Sequence, residues 1–371
     1  MNIQLRTVFN TKNIKDMGGR LKEVYPKFDQ KSFFAESTLN INDLNYQERI
    51  DQITDALRKH LPEKYEDAVD VIIKALPPEI RDDKLEGFEG FINLPYCRYV
   101  SRYGIDSFDI SMNALKELTK RFTSEYDIRF FIMKYPERCL ELFKEWAKDE
   151  NLHVRRLVSE GTRPRLPLGK RLQIFVKDPT PVIPLLDILK DDPILYIRRS
   201  VANHINDITK DNPDIAVKTV SRWLENENEN IRWIASHSMR TLLKQGNSGA
   251  LSIMGYPKPD NIDVWGLDIK NTCLSLGDDL EFSFVIDNRN ESERKLMVDF
   301  EIGFMKKSGK ISPKVFKLKK TEIKAGKKLK LFGKYSFKPQ STKSFYSGKH
   351  YIRIMVNGEK FQPAVFFLNI D

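Results

Sequence analysis

A stack of α-helical repeats followed by a smaller all-β domain is the fold class this sequence predicts, and three observations predict it. Short Ile/Val-Arg fragments recur inside apolar helical patterns from about Ser107 to Leu251. Past that point glycines and prolines (Gly246, Gly249, Gly255, Pro257 and Pro259) interrupt the chain, and a period of two replaces helical spacing. Charge changes at the same place: Gly255 to Asp371 holds 22 Lys and Arg against 14 Asp and Glu, which is +8 of the chain's +10. The expected domain bounds are therefore 1–253 and 254–371.

The helical part is read first. Tyr46, Ile50, Ile53, Ala56, Leu57 and His60 fall at helical spacing before Pro62, and Ala68, Val71, Ile72 and Leu76 do so before Pro77 and Pro78. Phe88, Phe91, Tyr96, Tyr99 and Tyr103, in the turn-rich stretch from Gly87 to Gly104, read as core aromatics. The fragments Ile128-Arg-Phe, Val154-Arg-Arg, Ile197-Arg-Arg and Ile231-Arg-Trp then follow at intervals of 26, 43 and 34 residues. Irregular periods of this size, with an acidic or Asn-rich turn before the last three fragments, predict a HEAT-like solenoid of stacked helix pairs. Half of such arginines are expected to serve the stack itself. In the doubled pairs Arg155-Arg156 and Arg198-Arg199, neighbours point roughly 100° apart, so one of each pair is expected to be free for phosphate.

The β part is read from alternation. Leu280–Asp287, Leu296–Ile302, Leu329–Phe337 and His350–Gly358 are expected strands of an immunoglobulin-like β-sandwich, with Asn357-Gly358 as a tight hairpin turn. Lys306 to Lys349 contains fifteen lysines and one acid, Glu322. Lysines on sheet edges discourage aggregation, yet this many in one segment also suits phosphate neutralisation without sequence readout. Lys306, Lys307, Lys319, Lys320, Lys327 and Lys328 are the candidate contacts, and the sandwich is expected to clamp DNA against the solenoid.

Composition sets limits. With 371 residues, 40% hydrophobic and 31% charged, the chain is an ordinary globular protein of two domains. A charge of +10 favours a polyanionic partner, nucleic acid or an acidic membrane surface. No apolar run reaches membrane-spanning length, and MNIQLRTVFN has no signal-peptide core, so a cytoplasmic, non-membrane protein is expected. Cys97, Cys139 and Cys273 form no CxxC pair and are read as packing residues; the scattered histidines form no HxxxH pair. With no phosphate-binding or dinucleotide glycine motif either, neither metal nor organic cofactor is expected.

One stretch concentrates the chemistry. In DENLHVRRLVSEGTRPRLP, Asp149 to Pro167, Val154, Leu157 and Val158 make an apolar face. Glu160 is expected to end the helix, Gly161 to close it in a left-handed conformation, and Pro164 and Pro167 to forbid its continuation. A carboxylate at a helix C-terminus opposes the helix dipole, and the loop after it adds Arg163 and Arg165. Six residues beyond Val154, Ile197 and Ile231 lie Glu160, Asn203 and His237, expected on one face, with Asp207 one turn past Asn203. Glu125 precedes Ile128 by three residues. Acids among arginines give phosphates nothing, so they are expected to face a cation.

VRRLVSEGTRPRLP resembles the signature of the AlkC-type DNA alkylation repair glycosylases, relatives of AlkD, and the resemblance covers the whole chain. It implies a HEAT-like α-helical repeat domain followed by an immunoglobulin-like domain, and excision of cationic alkylated bases such as 3-methyladenine or 3-methylcytosine from double-stranded DNA. It further implies that the lesion is exposed by bending the duplex rather than by enclosing a flipped base. The family's acidic site carries over onto Glu160, within the signature, and onto Glu125 and Asp207; Arg155, Arg156, Arg163, Arg165, Arg198 and Arg199 are the DNA-contacting candidates. The family pattern has Trp after the second proline, where this chain has Leu168. A clamp of this kind works as a monomer. The competing readings are a non-catalytic relative binding bent or branched DNA, and a helical scaffold for an acidic protein partner.

Overall fold

The structure is a computed structural model and describes residues 5–83, 89–226, 228–339 and 343–370. The chain divides into two compact units. One comprises Met1–Ile215 with Glu227–His237, the other Ala216–Asn226 with Ser238–Asp371. The helix-to-strand change near residue 254 thus falls inside the second unit, which takes two short helices along with its strands.

The first unit is helical. α1 (Thr11–Val24), α2 (Gln30–Thr38), α3 (Tyr46–His60) and α4 (Tyr65–Lys74) open it. Helix α3 starts where it does because Asn45 accepts from the Gln47 and Glu48 amides while the Glu48 carboxylate accepts from the Asn45 amide, a reciprocal cap. Its buried stripe of Ile50, Ile53, Ala56 and Leu57 is the periodicity visible in the sequence. α5 (Leu94–Tyr103) and α6 (Phe108–Thr119) follow. Tyr96 and Tyr99 are fully buried, and Phe91 and Tyr103 half-buried; Phe88 lies outside the described residues.

The repeat region contains α7 (Ile128–Lys134), α8 (Pro136–Trp146), α9 (Leu152–Thr162), α10 (Gln173–Lys177), α11 (Ile183–Leu189) and α12 (Leu195–Ile208). α13 (Pro213–Leu224) runs from this unit into the second, and α14 (Glu229–Ser238) closes the first. Ile128, Val154, Ile197 and Ile231, the apolar heads of the repeated fragments, are all buried in the first turns of α7, α9, α12 and α14. The arginine after each of two of them performs the same local task. Arg155 donates from Nη1 to the carbonyls of Asp149 (2.8 Å) and Glu150 (3.0 Å), and Arg198 to those of Asp192 (2.6 Å) and Pro193 (2.9 Å). Asp192 then links successive repeats, accepting from Arg155 Nε at 2.7 Å while capping the Ile194 amide at 2.9 Å.

In the second unit α15 (Arg240–Gln245) and α16 (Ser248–Ile253) precede β1 (Ile262–Ile269), β2 (Cys273–Ser275), β3 (Asp279–Asn288) and β4 (Arg294–Met305). β5 (Ile311–Ile323), β6 (Lys328–Ser336), β7 (Gly348–Val356) and β8 (Glu359–Asn369) complete the sandwich. A sheet ordered β1-β3-β6 faces one ordered β2-β8-β7-β4-β5. Phe284, Phe300, Phe304, Phe337 and Phe366 fill the core between them. The four strands read from alternation are β3, β4, β6 and β7. At the β7–β8 turn Asn357 and Gly358 both have positive φ (45° and 80°), the geometry that an Asn-Gly hairpin supplies. Two of the three cysteines pack as expected; Cys273 instead lies exposed, on the short β2, whose inward residue is Leu274. No helix among the described residues is long and apolar enough to cross a membrane.

β4 is buried on both sides, and its outward face carries two acids. Glu301 is satisfied by the Tyr351 hydroxyl (2.9 Å) and Lys360 (2.8 Å). Asp299 is not: its Oδ1 is buried without a hydrogen bond. Burial pushes its pKa up to about 6, only partly opposed by Lys317 and Lys320. A carboxyl whose folded pKa exceeds its unfolded value destabilises the fold once pH rises past the unfolded value, the loss being complete above the folded one. Asp299→Asn is therefore expected to raise stability by about 1–3 kcal/mol at pH 7.5 and to gain nothing at pH 3.5. Thermal melts at the two pH values check this.

Candidate active site

Helix α9 supplies the centre of the site and its neighbours α7 and α12, both packed on it, supply the flanks. The helix does not stop at Glu160. It continues through Gly161 to Thr162, and Gly161 keeps ordinary helical φ. The expected left-handed cap is thus absent, and the glycine serves another purpose: a Cβ there would meet Ile128 Cγ2 at 3.0 Å, so its lack of side chain lets α9 approach α7 closely. Glu160 consequently sits inside the last turn, 4% exposed.

Around Glu160 the structure brings together the three acids picked from the sequence, with cations between them. Glu125 Oε2 accepts from Arg156 Nη1 at 3.1 Å and from the Thr123 hydroxyl at 3.0 Å. Arg156 Nη2 lies 3.9 Å from Glu160 Oε1. Glu160 Oε2 accepts from Arg163 Nη1 at 2.9 Å, and Arg163 Nε donates to Asp207 Oδ2 at 2.8 Å. Asp207 Oδ1 takes Lys210 Nζ at 2.8 Å. The result is one ladder of alternating sign, Glu125, Arg156, Glu160, Arg163, Asp207, Lys210. Its three carboxylates are 7%, 4% and 2% exposed, burial that ionised groups tolerate only with partners. Burial alone would raise the pKa of Glu160, but Arg156 and then Arg163 outweigh it and hold the carboxyl below the usual carboxylate range. Likewise burial opposes the charge on Arg156, and Glu125 and Glu160 more than offset it. Glu160 is therefore ionised at neutral pH.

The loop after α9 is fixed from beneath by Arg129. This guanidinium is fully buried and donates to the carbonyls of Lys170 (2.6 Å), Gly161 (2.8 Å) and Arg163 (2.8 Å). Burial pushes its pKa down to about 10, so it too stays charged. On the loop surface, Leu168 adopts φ +63° and is 77% exposed, an uncommon conformation for a branched side chain. Behind Glu160, His204 donates from Nδ1 to the Ser159 carbonyl at 3.0 Å; burial drives its pKa down to about 3 and keeps it neutral.

The candidate arginines separate by partner. Arg155 and Arg198 tie turns, as above; Arg156 and Arg163 belong to the ladder; Arg165 forms a two-pronged pair with Asp211, 2.6 Å on each side. The expectation that one of each doubled pair is free meets a difference at Arg155-Arg156, where both guanidiniums hold carboxylates because Glu125 and Asp192 come from neighbouring repeats. Arg199 is exposed and has neither an ion pair nor a hydrogen bond among the described residues. Of the lysines, Lys307, Lys319, Lys320, Lys327 and Lys328 are exposed and Lys306 half-buried. Asn203 and His237 are half-buried, His237 stacked on Trp233 at 4.9 Å; it is Asp207, one turn on from Asn203, that reaches the arginine of Glu160.

The chain is 33% identical over 358 residues to the uncharacterized protein YhaZ of Bacillus subtilis (strain 168), with 96% of each covered. Its fold matches, at a TM-score of 0.83 and 35% identity, the solved structure of Pseudomonas fluorescens alkylpurine DNA glycosylase AlkC bound to DNA containing an abasic site analog, with 98% of this chain and 99% of that one covered. The chain belongs to the AlkC-type family. Residues 263–370 also match the family model described as the C-terminal Ig-like domain of the uncharacterised protein YhaZ. The AlkC-type fold is thus a HEAT-like helical domain followed by an immunoglobulin-like sandwich.

Sequence reading missed three contributors to the candidate site. Arg129 was visible in the first repeated fragment, but its role as loop clamp depends on a tertiary approach that no spacing encodes. Tyr196, whose ring lies 4.7 Å from the Arg156 guanidinium, could have been noticed as an aromatic immediately before Ile197. Lys210 stands at i+3 from Asp207, a spacing that pairs side chains on one helical face.

Arg129→Ala would leave the two buried carbonyls of Gly161 and Arg163 unpaired and a cavity under the loop. It is expected to lower unfolding free energy by about 3–5 kcal/mol, measurable as a shifted denaturant midpoint; a change within experimental error would show that the loop holds itself.

Proposed function

We propose that this chain is a DNA glycosylase of alkylation repair, excising cationic N-alkylated bases such as 3-methyladenine and 3-methylcytosine from double-stranded DNA by monofunctional hydrolysis. The observation that carries the reading is the buried carboxylate ladder centred on Glu160, in a chain that aligns end to end with an alkylpurine DNA glycosylase. A scaffold for an acidic protein gains nothing from buried carboxylates, and a plain DNA binder has no reason to set them among its arginines.

The chemistry follows from charge. A base alkylated on a ring nitrogen is cationic and leaves as a neutral molecule, so its departure requires no general acid. What needs stabilising is the oxocarbenium-like sugar left behind. Glu160 gives Oε2 to Arg163, while Oε1 sits 3.9 Å from Arg156, beyond hydrogen-bond range; that oxygen retains lone pairs for the sugar cation or for a water oriented toward the anomeric carbon. A carboxylate held well below its usual pKa is a weak base, so its contribution is electrostatic and orientational. Glu125 and Asp207 add negative potential on either side. The intervening Arg156 and Arg163 keep the carboxylates fixed, and Glu160 ionised, before DNA arrives, which removes reorganisation from the reaction. Alternating sign also suits the nucleotide itself, in which a positive sugar stands between negative phosphates.

In this reading residues 1–253 perform the excision and residues 254–371 hold DNA, with phosphates taken by Arg199 and by Lys306, Lys307, Lys319, Lys320, Lys327 and Lys328, and the chain acts as a monomer. Leu168, in place of the family's Trp, offers apolar contact without a stacking face.

Glu160→Gln preserves shape and removes charge. It is expected to slow release of 3-methyladenine from methylated duplex DNA by about 10²- to 10³-fold, while duplex affinity measured in parallel changes little. Wild-type protein that binds methylated duplex and releases no base would overturn the enzyme reading in favour of a binding relative.

A further inference from the structure

The sandwich carries a cavity of about 470 Å³, of whose lining the base-excision reading uses only Lys306 and Lys307. It opens where the β4–β5 turn meets the segment joining β6 to β7. Its rim holds four lysines, Lys306, Lys307, Lys314 and Lys343, and no carboxylate; its walls are Tyr335, Tyr346 and two phenylalanines. None of the four ammonium groups has an ion pair among the described residues. Some lysines elsewhere on the domain are matched to acids, Lys334 to Asp279 at 2.7 Å and Lys360 to Glu301 at 2.8 Å, while others, such as Lys319 and Lys327, also form no ion pair among the described residues. What sets the four apart is that they share one opening. Neither Tyr335 nor Tyr346 has a hydrogen bond from its hydroxyl among the described residues, so both phenols are available as donors.

Edge protection explains Lys314, which lies on the edge strand β5. It does not explain Lys306, Lys307 and Lys343, which follow the strand end or sit in a connecting segment. Gathering four like charges round one opening is unfavourable unless an anion occupies it. Aromatic walls add a second requirement. Lys343 Nζ lies over the buried Tyr335 ring, 5.6 Å from its centre, so Tyr335 holds this cation at the opening while half-buried Tyr346 offers an aromatic wall. A bare anion uses the lysines alone and a planar apolar group uses the rings alone. A planar heterocycle joined to a phosphate uses both, as in aromatic platforms for single-stranded nucleic acid.

We propose that this cavity binds a nucleoside phosphate, either a free nucleotide or one unpaired nucleotide of a DNA strand, with its phosphate among the lysines and its base against Tyr346. The site would stand even if the chain excised no base, because no residue of the carboxylate ladder takes part.

The test titrates the full chain with 2′-deoxyadenosine 5′-monophosphate, with inorganic phosphate, and with a 5′-phosphorylated single-stranded oligodeoxynucleotide. Wild type is compared with Lys314→Glu/Lys343→Glu and with Tyr346→Ala, melting temperature confirming that each is folded. The lysine double variant is expected to weaken nucleotide binding by about tenfold or more. Tyr346→Ala is expected to weaken the nucleotide but leave phosphate unchanged. Sensitivity of the mononucleotide identifies a free ligand; sensitivity of the oligonucleotide alone identifies a strand position. The proposal is overturned if neither ligand binds, if both bind equally well to wild type and variants, or if inorganic phosphate binds as tightly as the nucleotide.

Discussion

Ionised groups cannot be buried without partners, and the helical unit of this protein is arranged around that constraint. Glu125 comes from the turn leading into α7, Glu160 from α9 and Asp207 from α12, and each is nearly closed to solvent. Arg156 joins the first to the second, and Arg163 the second to the third. Removing one member would leave a buried charge unmatched, at a cost of several kcal/mol. Packing of α7, α9 and α12 and the electrostatics of the site are therefore one problem: the helices must sit close enough for the ladder to close, and Gly161 provides that closeness. Arg129 extends the same logic below the loop, replacing carboxylates with three carbonyl oxygens.

Much of this was legible in the sequence, for reasons that differ by residue. The buried Ile or Val at each repeat announced itself because a helix must show the same apolar stripe every time it stacks. Glu160 stood out because an acid there contradicts the helix dipole, and such local contradictions gather where function overrides propensity. Asp207 and Glu125 could be placed only by superposing repeats. Gly161 was misread because a glycine near two prolines signals a stop, while close packing against Ile128 leaves no one-dimensional trace. Strand β5 was hidden for a related reason: its lysines, spaced along an edge, mask the alternation of half-buried Val315, Phe316 and Leu318.

The arginines show how one residue type divides its work. The first of each doubled pair, Arg155 and Arg198, bonds to carbonyls of the preceding turn and so builds the repeat. The second of each pair diverges: Arg156 enters the ladder, with Tyr196 over its plane, while Arg199 stays exposed. A motif alone cannot separate these roles, because the difference lies in which carboxylate the neighbouring repeat presents. In the sandwich the excess positive charge is likewise not uniform. Some lysines are matched by acids across the strands, and others surround the aromatic cavity without an ion pair among the described residues.

The central claim is that Arg156 and Arg163 hold Glu160 ionised before substrate binds, so that it works as a fixed negative charge. Its folded pKa lies below its ordinary value, hence the group is charged throughout the neutral range and loses that charge only as pH falls through the lower folded pKa. The most direct measurement is the pH dependence of single-turnover release of 3-methyladenine from duplex DNA by the wild-type protein. The account predicts a rate that is flat from about pH 5.5 to 8. An acid limb with its midpoint near neutrality, abolished by Glu160→Gln, would show instead that Glu160 titrates in that range and acts as a general base, and would contradict the account.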